Sequence, residues 1–281
     1  SGLPHFVNGR LGAAASFDGK RFINAGSSPN LNYEDKFSLA AWIYPTTETG
    51  VIFSRARDSD QGEVGWGFYL EAGKLRLSLS TRILDDGVAA ETMVSLPLNK
   101  WQHVLATYDG SKTTSGMKIY VDGQSLQLKP LLDLAGNRLP QREPLRIGAS
   151  GSSKLRFRGH IDEVRIYGKV LTPLEAAVLA TAETVSEIAA LDPQQRTSAQ
   201  ANKLRLSFLN QYAPPNIRTA FLAVKDLERQ REQLWDSYPT VMVMQEMQPR
   251  RDTFRLIRGA YDNPGEPVYA DVPAVLPPLP E

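Results

Sequence analysis

Asp162 is the acid whose surroundings say most. It lies in Gly159-His-Ile-Asp-Glu-Val-Arg-Ile-Tyr167, where strand periodicity places it with Val164 and Ile166 and puts Ile161, Glu163, Arg165 and Tyr167 on the other face. A carboxylate in line with apolar neighbours must be answered by hydrogen-bond donors, a guanidinium or a metal ion. Cleaving a glycosidic bond needs two carboxyls facing each other across a cleft. Asp162 and Glu163 are adjacent on a strand, hence on opposite faces, and Asp85-Asp86 falls at a predicted turn with Gly87. His5, His103 and His160 have no serine or acid placed by sequence to complete a triad, so the chain reads as non-enzymatic. Asp58-Ser-Asp-Gln-Gly-Glu63 has part of the spacing of a calcium loop but lacks its later ligands, and reads as a solvated loop. Sugar recognition asks for aromatic faces beside planar polar groups. The candidates are Tyr69, Trp66, the loop residues Arg55, Arg57 and Arg82, and Asp85. Trp66 shares a strand face with Phe68 and Leu70, so it reads as core ahead of ligand contact, whereas Tyr69 faces the other way and stays available.

These residues must be positioned by strands. From Leu11 to Tyr167, short β-branched and aromatic runs alternate with Asp-Gly turns at 18–19, 86–87, 109–110 and 122–123, which predicts an antiparallel sandwich. The runs include Phe37–Tyr44, apolar on both faces and therefore central, Thr92–Ser95 and Trp101–Tyr108. At Leu171-Thr-Pro-Leu-Glu175 the pattern changes to helix, with Thr172 and Glu175 forming a capping box. Leu174, Val178, Thr181, Val185 and Ile188 continue at helical spacing, and further helices are expected over about 198–212 and 216–237. Two strands, Thr240–Met247 and Thr253–Arg258, and a Pro- and Gly-rich extended tail close the chain. The expected division is a sandwich over 1–171, a helical region over 172–238, and short strands with a Pro-rich edge over 239–281.

Lys and Arg (32) balance Asp and Glu (31), so the charge calls for neither nucleic acid nor an anionic membrane as partner. With no cysteine, there is no disulfide, no thiolate metal site and no c-type haem attachment in this chain. No apolar run is long enough for a transmembrane helix.

Five motifs in order, Ala15-Ser-Phe-Asp-Gly19, Phe37–Pro45, Trp101–Gly110, Lys118–Gly123 and Gly159–Tyr167, resemble the laminin-G-like branch of the concanavalin A-like lectin and glucanase superfamily. The resemblance implies a mainly β fold, a concanavalin A-like jelly-roll β-sandwich followed by a C-terminal α-helical hairpin and extended tail. It also implies a binding or spacer module, with a polysaccharide or glycan as the expected partner. The Glu-x-Asp-x-x-Glu of the glucanase branch is absent. A structural calcium (Ca2+) in the superfamily clips the first and last strands, and the matching acids here are Asp18 and Asp162. The alternative is that Asp18 serves only its turn and Asp162 pairs with a backbone amide or an arginine such as Arg21. A second resemblance, over 235–280, is to the junction in planctomycetal cytochrome-like multidomain proteins, where a laminin-G-like module precedes a domain of unknown function. It implies a piece of a larger bacterial protein of the periplasm or cell surface, with the adjacent domains as partners and any haem outside this chain.

Overall fold

The structure is a computed structural model that describes residues 4–59, 62–82, 86–134, 136, 138–140, 142–151, 155–238, 252–259, 263–269 and 272. The chain divides into two compact units, Ser1–Arg218 and Thr219–Glu281. The first contains strands β1 (His5–Asn8), β2 (Ala13–Asp18), β3 (Ile23–Asn24), β4 (Phe37–Pro45), β5 (Gly50–Ser59), β6 (Gly62–Glu71) and β7 (Lys74–Arg82). They are followed by β8 (Asp86–Thr92), β9 (Gln102–Tyr108), β10 (Met117–Val121), β11 (Gln124–Leu126), β12 (Leu128–Leu134), β13 (Arg146–Ile147) and β14 (Arg158–Tyr167). Two seven-stranded sheets result, in the orders β1-β2-β14-β4-β9-β10-β11 and β12-β8-β7-β6-β5-β13-β3, and their ladders are antiparallel.

Alternation explains the layers. Phe37, Leu39, Ala41 and Ile43 of β4 and Val104, Ala106 and Tyr108 of β9 face Trp66, Phe68, Leu70, Leu75, Leu77 and Leu79 of the second sheet in one buried core. On the outward face of β4, a second layer covers Ala40. Ala40, Leu105 and Tyr120 pack with Leu171 and Ala176, which brings helix α1 (Pro173–Leu179) onto the outer face of the first sheet. Central placement of β4 is thus as expected.

The capping box forms as read: Thr172 Oγ1 accepts from Glu175 N, and Thr172 N donates to Glu175 Oε2 at 2.8 Å. Thr172→Ala is expected to cost about 1 kcal/mol, measured by chemical denaturation, and no change at all would show that α1 is held by packing alone. The helical pattern after Leu174 does not run on unbroken. A second capping box at Thr184 starts α2 (Val185–Ala190), and α3 (Ser198–Ser207) packs against α1 and α2. Lys203 Nζ joins the break by donating to the carbonyls of Thr181 and Glu183, both at 2.7 Å. Helix α4 (Pro215–Ser237) spans the boundary between the two units.

Several strands differ from expectation. Asp86-Gly87 opens β8 instead of turning, and β8 ends at Thr92 where a strand was expected to begin; Met93 and Val94 are exposed. Strand β12 contains Pro130, which is tolerated because β12 is an edge and shifts register between Pro130 and Leu132. In the second unit, β15 (Thr253–Leu256) pairs with β16 (Pro264–Val268), inside the stretch read as an extended tail. The strand expected over Thr240–Met247 lies outside the described residues.

Candidate functional site

The expected sugar-binding residues that the structure describes sit on the second sheet, and three of them, Trp66, Tyr69 and Arg55, are buried. Strand β6 turns Trp66 into the core at 1 % exposure. Tyr69 does point to the outer face, but it is 4 % exposed: a Cβ on Gly67 would sit 2.3 Å from the Tyr69 hydroxyl and 2.7 Å from Ser54 Cβ. The phenol therefore lies folded down over the glycine, with Arg76 stacked on its ring at 5.6 Å. Burial pushes its pKa well up. Arg55 is not a loop residue but a buried one in β5, opposite Trp66. Its guanidinium donates to the carbonyls of Glu143 (2.5 Å) and Pro29 (2.8 Å) and to Asn30 Oδ1, tying two loops together. A guanidinium already committed to backbone oxygens has no fork to offer a ligand. Arg82 ends β7 and is exposed, opposite Asp86 in register, and Arg57 is exposed as well. Asp85 lies outside the described residues.

The acids are placed differently from the periodic reading. A bulge in β14 shifts register between Asp162 and Arg165, with Glu163 at φ 51°. Ile161, Val164 and Ile166 therefore all face the core, and Asp162 faces outward. It is nevertheless buried, because the β1–β2 loop closes over it: Leu11 N donates to Asp162 Oδ2 at 2.9 Å, and a Cβ on Gly9 would come within 2.4 Å of the same oxygen. Asp18 is exposed and accepts from Lys20 N (2.8 Å) and Arg21 N (3.0 Å), bonds that lower its pKa. Asp18 is paired with Arg158, four positions along β14 from Asp162, roughly 13 Å at strand rise. Both carboxylates are met by N–H donors instead of further oxygens, so this pair does not fit a shared calcium. Among the described residues no group of three or more His, Cys, Asp or Glu is gathered to hold a metal.

What the sequence reading missed is a ring row on the outer face of the first sheet, three residues side by side across the strands whose rings converge into a compact triangle. Register sets His160 of β14 against Tyr44 of β4, and the pairing of Ile43 with Gln102 sets Trp101 beside Tyr44. The Tyr44 ring centroid is 5.7 Å from Trp101 and 5.5 Å from His160, and Trp101 and His160 are 6.2 Å apart, inclined by 34°. All three side chains are half-buried, and the row continues into Ser16 and His5. Burial lowers the pKa of His160, whose Nδ1 is buried without a partner. One row further, Trp42 and His103 stack edge to face at 5.3 Å, and the Arg10 guanidinium lies over Trp42 at 5.3 Å. His103 is 3 % exposed, and desolvation takes its pKa down to about 4.

A family model for laminin-G-type proteins of the concanavalin A-like lectin/glucanases superfamily matches residues 17–177. The chain belongs to that superfamily. Among solved structures, the module is similar to the binding domain of Paraclostridial Mosquitocidal Protein 1, at 19% identity and a TM-score of 0.47, covering 66% of this chain and 46% of that one. It is also similar to domain 4 of AbnA, a GH43 extracellular arabinanase from Geobacillus stearothermophilus, in complex with arabinotriose (19% identity, TM-score 0.43, 64% and 82% covered). A third is the native heptameric SAP-like pentraxin from Limulus polyphemus, at 18% identity and a TM-score of 0.39, with 64% and 80% covered. The chain thus spans less than half of the mosquitocidal chain it matches.

In this lectin/glucanase-superfamily module the ring row can offer flat apolar faces, and the two acids of β14 nearest it are already engaged. Asp162 is buried and hydrogen-bonded, and Glu163 is engaged by the Arg165 guanidinium. No helix among the described residues is long and apolar enough to cross a membrane.

Proposed function

We propose that this superfamily module is a non-catalytic carbohydrate-binding unit whose stacking surface is the row Trp101, Tyr44 and His160. The observation that carries the reading is that three half-buried rings, from β4, β14 and the residue before β9, meet in one compact cluster. Rings held by sheet register present flat faces at little entropic cost, as sugar stacking requires. The second-sheet face supports the same choice, since among its described residues Tyr69 is folded down and Trp66 is internal.

A glycan array followed by titration calorimetry tests it. Trp101→Ala is expected to weaken binding at least about tenfold, roughly 1.4 kcal/mol, while Tyr69→Phe leaves it unchanged. A blank array, from protein shown by circular dichroism to be folded, returns the module to the alternative role of a structural or protein-interaction spacer. The sequence likeness over 235–280 supports placing the module within a larger multidomain protein of the bacterial periplasm or cell surface, where neighbouring domains are its other partners.

A further inference from the structure

We propose that the ring row takes an anionic glycan, a sugar bearing a carboxylate or a sulfate, stacked on Trp101 with its charge met by Arg158, Lys100 and Arg10. The inference rests on the reading of the row as the binding surface and adds the class of ligand.

Cations border the row on both sides. Arg158 has the same strand parity as His160 and lies two positions before it, about 6.7 Å along β14. It is exposed and makes no ion pair among the described residues. Its guanidinium lies across Gly19 at the end of β2, where a Cβ would sit 2.7 Å from Arg158 Nε, and swings over His160 to meet a ligand on the rings. Lys100 directly precedes Trp101, in a turn whose Asn99 N donates to the Pro45 carbonyl at 2.8 Å, which draws it to the end of β4. On the opposite side, Arg10 caps Trp42. Lys20 and Arg21 follow in the turn after β2 and are exposed.

Three acids near this edge are already occupied. Asp162 is buried on Leu11 N, Asp122 accepts from His103 N at 2.8 Å, and Asp18 holds Lys20 N and Arg21 N while its Oδ2 lies 3.8 Å from Arg21 Nε. Five exposed cations thus flank the rings in a chain whose net charge is only +1. A neutral sugar would use the rings and leave the guanidinium of Arg158 idle. A carboxylate or sulfate beside the sugar ring would engage both, the guanidinium by a bidentate fork.

The experiment titrates the whole chain with oligogalacturonate and its neutral methyl ester, and with dextran sulfate and neutral dextran, so that each anion has a matched neutral and the two acid types are separated. One anion is expected to bind about tenfold or more tightly than its match at about 0.05 M salt, the advantage shrinking toward about 0.3 M. Arg158→Gln should cut that advantage at least about threefold, and Trp101→Ala should remove binding; Lys129→Gln, on the exposed β12 edge of the other sheet, should change nothing. Equal affinity for anion and neutral match, still lost with Trp101→Ala, overturns the anionic class and leaves the carbohydrate reading standing. Anion binding indifferent to Trp101→Ala is plain polyelectrolyte adsorption and overturns both, as does failure to bind any of the four.

Discussion

Replacing Arg55 by alanine is expected to lower the unfolding free energy of the sandwich by about 3–4 kcal/mol, an effect on the scale of a core truncation. Its strand position faces inward opposite Trp66, at the mouth of the sandwich. There the loop around Pro29 and the loop around Glu143 are joined by Ala25 N to Leu145 O and Leu145 N to Gly26 O, at 2.8 and 2.7 Å, and by Leu139 N to Asn32 Oδ1 at 3.1 Å. Removing the guanidinium strips a charged donor from the carbonyls of Pro29 and Glu143, both half-buried residues, where such bonds contribute about 1.5–3 kcal/mol each, while the amide oxygen of exposed Asn30 turns to water. For a unit of this size the melting temperature should fall by about 10 °C. Arg55→Lys keeps a charge but not the fork, and should recover less than half of the loss. Losses below about 1 kcal/mol in both variants, by urea denaturation, would mean the loops are held by their backbone bonds alone.

The second large effect is acid sensitivity through His103. Its pKa is lowered in the fold to about 4, against an ordinary value of 6.5, because the ring is buried beneath Trp42 with Nδ1 unpaired. A depressed folded-state pKa means the unfolded chain binds the proton first. Stability is therefore fully present above about pH 6.5 and is lost as pH falls through the window down to about 4. Between pH 7.5 and 4.5 the loss from this one ring is about 2.5 kcal/mol. His160, also lowered by burial, adds loss of the same sign. Carboxylates held low, such as Glu34 beside Lys112 and Asp18 on its backbone donors, act in the same direction but only as pH falls below their ordinary range. His103→Phe preserves the ring against Trp42 and removes the titration, so urea unfolding across pH 7.5–4.5 should show a flatter profile than the parent. Parallel profiles would exclude His103 as the cause.

Features set by neighbours in the chain were legible; those set by pairing were not. The Thr172–Glu175 box is a four-residue pattern, and Asp122-Gly123, at φ 49° and 80°, is a two-residue one that closes the β10–β11 hairpin. Phe37–Pro45 betrayed two covered faces by composition alone. Asp162, by contrast, was assigned to the wrong face because one extra residue at Glu163 reverses parity without leaving a mark in the residue types. Arg55 looked like a ligand contact because a guanidinium buried against carbonyls and one waiting at the surface are the same letter. The ring row was invisible for a related reason. Trp101, Tyr44 and His160 are far apart in sequence, and they meet only once β9, β4 and β14 are paired in register.

The strand order also governs how the protein is made. β14, the last strand of the sandwich to be synthesised, inserts between β2 and β4 and pairs with both. A nascent chain that has not yet released Tyr167 from the ribosome carries two open strand edges, and non-local closure of this kind is slow and aggregation-exposed. Truncation anywhere before the end of β14 should therefore yield insoluble product instead of a smaller domain. The same insertion places the rings of Tyr44 and His160 side by side in the final pairing step, so the row comes into being only with the completed sheet.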